Sequence, residues 1–296
     1  MARAAAGAGA TLSYDVTCRE VRDTTLPVER TFVVCDAMWQ SDLLINICKL
    51  KTHGLTGLTA AAKNLFGCIA GLHKTEYHMT QPTVESFSDV LVDIAKLMSP
   101  ALSICDAVLA MEGAGPSHGR PKALGLLLAA TDPFALDYAI ACLLAVGPRD
   151  FTTLAAALRR GYGPQRDDEL EVVLTGDKPE LFRGKDARAQ LESLRPASFE
   201  LLRPEDLSSL QGRGALKSVL RSLQPLLRSR PAFSNDVCNQ CRTCLRSCPV
   251  DALTLTGKAP TVDLSKCIRC YCCQELCPLG AVRISQPALA RLLYGR

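Results

Sequence analysis

Residues 238–249 read CNQCRTCLRSCP, and residues 267–278 read CIRCYCCQELCP. Both fit C-x2-C-x2-C-x3-C-P, and the second copy begins 29 residues after the first. The same offset aligns Pro249 with Pro278 and Ala252 with Ala281, so the segment is an internal repeat. Of the 15 cysteines, nine lie from Cys238 onward and six are scattered over the preceding 237 residues. Cysteines packed this densely in a reducing compartment point to metal rather than to disulfides. A tight loop of this spacing folds three thiolates around one face of a cubic cluster, and the proline then turns the chain away. Two structural zinc sites are the alternative, but these usually take their ligands from two C-x2-C pairs.

The runs resemble those of bacterial two-cluster ferredoxins, in which each cluster takes three cysteines from one run and the fourth from the other. The resemblance implies Cys238, Cys241, Cys244 and Cys277 around one [4Fe-4S] cluster, and Cys267, Cys270, Cys273 and Cys248 around a second. Cys272 is left over, because the x3-C-P anchor selects Cys273, and it reads as a small buried thiol beside the cluster. From Ser234 to the end there are eight Lys/Arg and four Asp/Glu. Two oxidised clusters with their thiolates, at about −2 each, bring this part roughly to neutrality. It therefore lacks the strongly acidic surface that steers a diffusing carrier to basic partners. It reads as wired to the domain to which it is fused.

The 296 residues are 48% hydrophobic and 22% charged, enough for one large domain and a small one. The net charge of +4 is too slight to argue for nucleic acid. No apolar run reaches the roughly 18 residues of a transmembrane helix. The opening MARAAAGAGATLSYD carries one arginine and no leucine-rich stretch, a poor secretory signal. These features predict a cytoplasmic protein in three parts: an α/β domain over 1–205, a basic linker helix over 206–233, and a two-cluster domain over 234–290. The linker is marked by Leu216, Val219, Leu220 and Leu223 at helical spacing.

In the first part, RTFVVCDA, DLLINICKL, ALSICDAVLAM, ALGLLLAAT and ELEVVLTG read as buried strands, apolar and bounded by turns or charges. Val84, Phe87, Leu91, Ile94 and Met98 mark an amphipathic helix. TDPFALDYAIACLLAV opens another, with Asp132 as N-cap and Pro133 at its first position. The alternation predicts an α/β fold with a largely parallel sheet. Ligands in such sheets bind at the carboxyl ends of strands.

Two segments at strand ends look functional. Residues 49–78 hold four lysines and three of the four histidines, but one acid, Glu76. The strand DLLINICKL delivers Lys49 and Lys51 to its end, followed by Thr52, His53 and Gly54. A helix beginning near Thr56 would carry Lys63 and Asn64. Lysines beside a helix N-terminus, with its free N–H groups, make an anion site. Metal binding by the histidines is disfavoured, since no pair has i,i+4 spacing. The second segment, MEGAGPSHGRP at 111–121, is rich in glycine and proline, so its backbone can approach a ligand closely. It presents Glu112, His118 and Arg120.

INICKLKTHGLTGLTAAAKNLFG, MEGAGPSHGRP, TDPFALD and CIRCYCCQELCP, in that order, resemble the iron–sulfur proteins of the domain of unknown function 362 family. The resemblance spans roughly residues 30–290 and implies this two-part architecture without supplying a substrate. It also implies a further strand and helix with a lysine–asparagine motif ahead of the matched part. Either the start is truncated or the sheet lacks its first strands.

The residues together predict an iron–sulfur oxidoreductase with a small anionic substrate. Lys49, Lys51 and Lys63 would hold the anion, and His53 would transfer a proton. Asn64, Glu112, His118 and Arg120 would line the site. The rival expectation is a non-catalytic electron carrier whose α/β domain binds a redox partner protein.

Overall fold

The computed structural model describes residues 2–15, 17–69, 73–81, 83–176, 178–201 and 229–285. The basic linker helix expected over 206–233 lies, up to residue 228, outside the described residues. Helix α1 (Ala2–Gly7) precedes an antiparallel ribbon of β1 (Cys18–Arg22) and β2 (Thr31–Cys35). After α2 (Asp36–Trp39) come β3 (Ile45–His53) and β4 (Gly57–Thr59), which turns straight back on it. Then follow α3 (Ala61–Asn64), a 3-10 turn over Leu65–Cys68, α4 (His73–Thr80) and α5 (Val84–Met98). The hairpin of β5 (Leu102–Glu112) and β6 (Arg120–Ala130) leads to α6 (Pro133–Leu144) and α7 (Thr152–Arg159). A small hairpin, β7 (Glu171–Leu174) and β8 (Glu180–Arg183), and α8 (Gly184–Ser193) complete this part.

The main sheet has the order β4-β3-β5-β6 and is mixed, not largely parallel as expected. Only β3 and β5 run parallel; β3–β4 and β5–β6 are antiparallel. Connection length explains the difference. The passage from β3 to β5 includes α3 to α5, ample for a crossover. Three residues separate β3 from β4 and seven separate β5 from β6, which permits only a reversal. The strands read at RTFVVCDA and ELEVVLTG stay out of this sheet: β2 pairs with β1, and β7 with β8.

Alternation along β3 sends Cys48 and Leu50 inward, where with Cys105 and Ala107 they meet Leu136, Ile140 and Leu143 of α6. Ile47 and Leu127 face outward, 66% and 68% exposed. The strands are thus half-buried, as antiparallel neighbours allow. Helix α5 starts where Thr83 accepts the Ser86 N–H, and α6 where Asp132 accepts that of Phe134, with Pro133 at the first position. Phe87, Leu91 and Ile94 of α5 pack on Phe32, Val34 and Ile69. Each such fully buried side chain stabilises the fold by about 1.5–3 kcal/mol.

In the C-terminal part, β9 (Arg230–Phe233) is followed by α9 (Thr243–Arg246), β10 (Leu253–Thr254), β11 (Thr261–Val262) and α10 (Cys272–Glu275). Strand β12 (Val282–Ser285) then returns to pair antiparallel with β9. The sequence repeat recurs in the backbone. Gln240 and Arg269, and likewise Arg242 and Tyr271, share left-handed φ values between 59° and 62°. Asp251 and Gly280 match in the same way, at 48° and 65°.

Candidate functional site

The end of β3 is fastened to the glycine-rich loop. The Thr52 hydroxyl donates to the Gly113 carbonyl at 2.8 Å and accepts the Gly115 N–H at 3.2 Å. A Cβ on Gly115 would lie 2.1 Å from the Thr52 carbonyl oxygen, a backbone atom with no room to move. Gly115→Ala is therefore expected to destabilise the protein by on the order of 3 kcal/mol, seen as a lowered thermal midpoint. An unchanged midpoint would mean that the loop is not held against β3. His53, 6% exposed, accepts the Leu55 and Thr56 N–H groups at Nδ1, at 3.0 and 3.4 Å. That puts the ring proton on Nε2.

The helix expected near Thr56 begins at Ala61, because Gly57–Thr59 pairs back on β3. Its first N–H groups are already used. Ala61 and Ala62 donate to the Asp137 carboxylate at 2.7 and 3.2 Å. Asp137 is wholly buried on α6, and burial pushes its carboxyl up to about 7 against the pull of those two N–H groups. A side chain of this chain thus takes the place assigned to an external anion. The sequence signal was an acid inside the apolar helix PFALDYAIACLL.

Lys63 is different. It is 8% exposed, with its ammonium 5.8 Å from the Phe66 ring centre and 5.4 Å from that of Phe87. Among the described residues no carboxylate lies within ion-pair reach of it. Burial lowers its pKa to about 8; Glu275 and Cys272 oppose the shift, and Lys74 and Lys51 add to it. The lysine thus lies within electrostatic reach of Glu275 in the second cysteine run.

Other contacts join the same two regions. Ser117 donates to the Glu275 carbonyl at 3.1 Å, and Gln274 Nε2 to the Ala114 carbonyl at 3.3 Å. Gly54 faces Tyr271 and Ile284. His118 lies over Gly280, where a Cβ would meet its Nδ1 at 3.0 Å. The first copy of the repeat carries Asp251 at this position. Glycine in the second copy makes room for the histidine. His118 Nε2 and Gln274 Oε1 are buried here with no hydrogen-bond partner among the described residues. The end of β3, Lys63, the glycine-rich loop and α10 thus converge on one junction.

The remaining predicted residues have other partners. Lys49 bonds the Asp106 carboxylate at 2.6 Å and the Leu109 carbonyl at 3.2 Å on the open face of the sheet. Asn64 ties α3 to β3 through Asn46 Oδ1 at 2.8 Å and the Ile47 carbonyl at 3.2 Å. Glu112 accepts the Glu200 N–H at 3.0 Å, and Arg120, 68% exposed, pairs with the Glu200 carboxylate. Their contacts fasten Glu200 to the loop end of the β5–β6 hairpin, and Lys122 of β6 holds Ser198.

In the C-terminal part, Cys238, Cys241, Cys244 and Cys277 line one cavity with Leu255, Pro260 and Pro278. Across the two runs, Cys248 lies within electrostatic reach of Cys267, and both Cys244 and Cys248 lie within reach of Cys273. Backbone N–H groups of Gln240, Ala252 and Ala281 donate to the sulfurs of Cys238, Cys248 and Cys277 at 3.4, 3.2 and 3.3 Å. Such N–H···S bonds suit thiolates that carry charge on an iron–sulfur cluster. Cys272 is buried, in hydrogen-bond contact with Cys270, and its thiol is pushed far up by that contact and by burial.

Comparison with known proteins fits this division. Residues 1–142 match the family model described as domain of unknown function (DUF362), and residues 230–278 match a 4Fe-4S dicluster domain. A thylakoid-associated protein of Synechocystis sp. is 43% identical over 125 residues, which is 42% of this chain and 39% of that protein. The match thus spans well under half of the relative's length. No helix among the described residues is long and apolar enough to cross a membrane. The chain thus joins a part similar to the domain of unknown function 362 family, at residues 1–142, to a C-terminal 4Fe-4S dicluster domain at residues 230–278.

Proposed function

We propose that this chain relays electrons through two [4Fe-4S] clusters to or from a small anion bound where the α/β domain (1–205) meets the cluster domain (234–290). When bound, the clusters supply one-electron transfer. The cavity lined by Cys238, Cys241, Cys244 and Cys277 supports the first ligand set, and the closeness of Cys248 to Cys267 supports the second. The observation that carries the anion is Lys63, a buried ammonium without a carboxylate partner among the described residues, beside the second run. Lys51 adds positive charge from the end of β3. His53 is the group assigned to move a proton, at Nε2. On this reading the chain is an oxidoreductase working in a reducing compartment such as the cytoplasm. The name of the Synechocystis relative raises the same role beside a thylakoid membrane.

One observation favours a second reading, an electron carrier that docks a partner protein. Ile45, Ile47 and Leu127 leave the outer face of the sheet apolar and open. Anaerobic titration separates the two. Clusters that change oxidation state only when one small anion is added support the oxidoreductase. Clusters indifferent to every metabolite, including those that co-purify, support the carrier. In either case the reconstituted protein is expected to hold about eight irons and eight acid-labile sulfides per chain. Four irons, or stoichiometric zinc, would sink the cluster assignment.

A further inference from the structure

Three cysteines of the α/β domain stand together, far in sequence from the cysteine runs. Cys18 and Cys35 are directly opposite one another across β1 and β2. The ribbon's register fixes what kind of pair they are. The Asp36 N–H donates to the Thr17 carbonyl, and the Asp23 N–H to that of Arg30, so both of these opposed pairs are hydrogen-bonded. Bonded and non-bonded pairs alternate in an antiparallel ribbon, which makes Cys18–Cys35 a non-bonded pair. In such pairs the Cα atoms approach to about 4.5 Å and the side chains lie closest. A disulfide requires Cα atoms roughly 4.4–6.8 Å apart, a distance this backbone already offers. The thiols are in contact: burial raises the Cys35 pKa, and the charge and hydrogen bond of Cys18 raise it further.

Strand β2 has a neighbour on its other side. Val34 forms an antiparallel bridge to Ile69, and this brings Cys68, one residue earlier, beside Cys35. Burial pushes the Cys68 thiol up to about 11, with Cys35 adding to the shift. The three thiols run from outside inward: Cys18 exposed, Cys35 half-buried, Cys68 buried. Lys74 lies near the inner two and favours their thiolates. A second pair, Cys48 and Cys105, is also matched across strands, but both sit in the sealed core where no reagent reaches them.

We propose that Cys18 and Cys35 form a reversible disulfide, made and broken by exchange with low-molecular-weight disulfides, with Cys68 as the inner thiol to which the bond passes. The Cys18 thiolate attacks one sulfur of the external disulfide. A mixed disulfide forms, and one small thiolate leaves and takes up the proton that Cys18 gave up. Cys35 then attacks the Cys18 sulfur, expels the second small thiolate, and gives its proton to it. Two protein thiols are oxidised and one external disulfide is reduced to two thiols, so electrons and protons balance. Passage inward is an isomerisation: Cys68 attacks the Cys35 sulfur, and Cys18 leaves as the thiolate and receives the Cys68 proton. The inner bond would clamp the Leu65–Cys68 turn, which carries Phe66 beside Lys63, to β2. The state of these thiols would thereby reach the junction without involving the cluster cysteines.

The test uses the full-length, cluster-loaded protein, incubated anaerobically with oxidised glutathione. Remaining thiols are alkylated, and linked peptides are mapped by mass spectrometry. The wild type is expected to show a Cys18–Cys35 link that a dithiol reductant removes. Cys68→Ser should keep that link, and Cys18→Ser should shift it to Cys35–Cys68. Cys35→Ser should lose every link among the three, because the middle member is gone. Cluster absorbance should stay constant throughout. A wild type that retains all three thiols, or keeps glutathione on Cys18 unresolved, would overturn the proposal. So would a Cys18–Cys68 link in Cys35→Ser, or links that form only as cluster absorbance is lost.

Discussion

Serine in place of Cys277 is expected to halve the iron, from about eight to about four per chain, by opening the cluster held by the first cysteine run. Cys277 lies in the second run by sequence, but it lines the same cavity as Cys238, Cys241 and Cys244. Cys248→Ser should cause an equal loss from the other cluster, since Cys248 comes close to Cys267 of the second run. Iron content alone does not tell crossed from uncrossed ligation, but pairs of substitutions do. Two lesions in one cluster cost no more than one, whereas lesions in different clusters add. Cys277→Ser with Cys241→Ser should therefore still leave about four irons, and Cys277→Ser with Cys270→Ser should leave close to none. The reverse pattern would show that each run binds its own cluster, and the crossed ligand sets would be abandoned.

The two halves of the chain were legible to different degrees, for physical reasons. The cysteine repeat is local: each copy folds on its own spacing. Sequence identity at the 29-residue offset therefore carries over into matched left-handed residues and matched short helices, α9 and α10. The strands of the α/β domain were also visible from their apolar runs, and the α6 cap from Asp132 and Pro133. Which strand pairs with which was not visible. A glycine-rich loop such as 113–119 reads equally well as a strand-to-helix connection or as a hairpin, and only the hairpin makes β6 antiparallel. Strand β1 gave no signal, since four of its five residues face solvent and no apolar alternation results.

The lysine segment shows the same limit. Its charge could be counted, but the burial of Lys63 depends on Phe66 and Phe87 and on the approach of α10. Asp137 reaches the start of α3 from 76 positions further along the chain. Contacts at that separation leave no periodic trace. The one clue was compositional, a charged residue in a run too apolar to expose it. Lys49 went the other way: expected at the anion, it pairs instead with Asp106 on the exposed face of the sheet.

Lys63→Met is expected to weaken binding of the junction anion roughly ten- to hundred-fold, while both clusters keep their iron. Methionine retains most of the side chain's length and its packing on Phe66 and Phe87, and loses only the charge. A charge-assisted hydrogen bond is worth about 1.5–3 kcal/mol, and each 1.4 kcal/mol is tenfold in affinity. Dependence on pH provides the internal control. Burial holds the folded pKa of Lys63 at about 8 against an ordinary 10.5. Below that pH the ammonium is present and the anion binds; above it, affinity should fall by up to about tenfold per unit. The sign follows from the ligand needing the charged form. Glu275 already contributes to that value, and the net negative charge of a bound cluster would favour the ammonium further and move the fall upward in pH. In Lys63→Met the same titration should be flat, because the group that titrates is absent. Anion binding that falls equally in both proteins would assign the effect to another lysine, Lys51 first, and Lys63 would then be a core residue without a ligand.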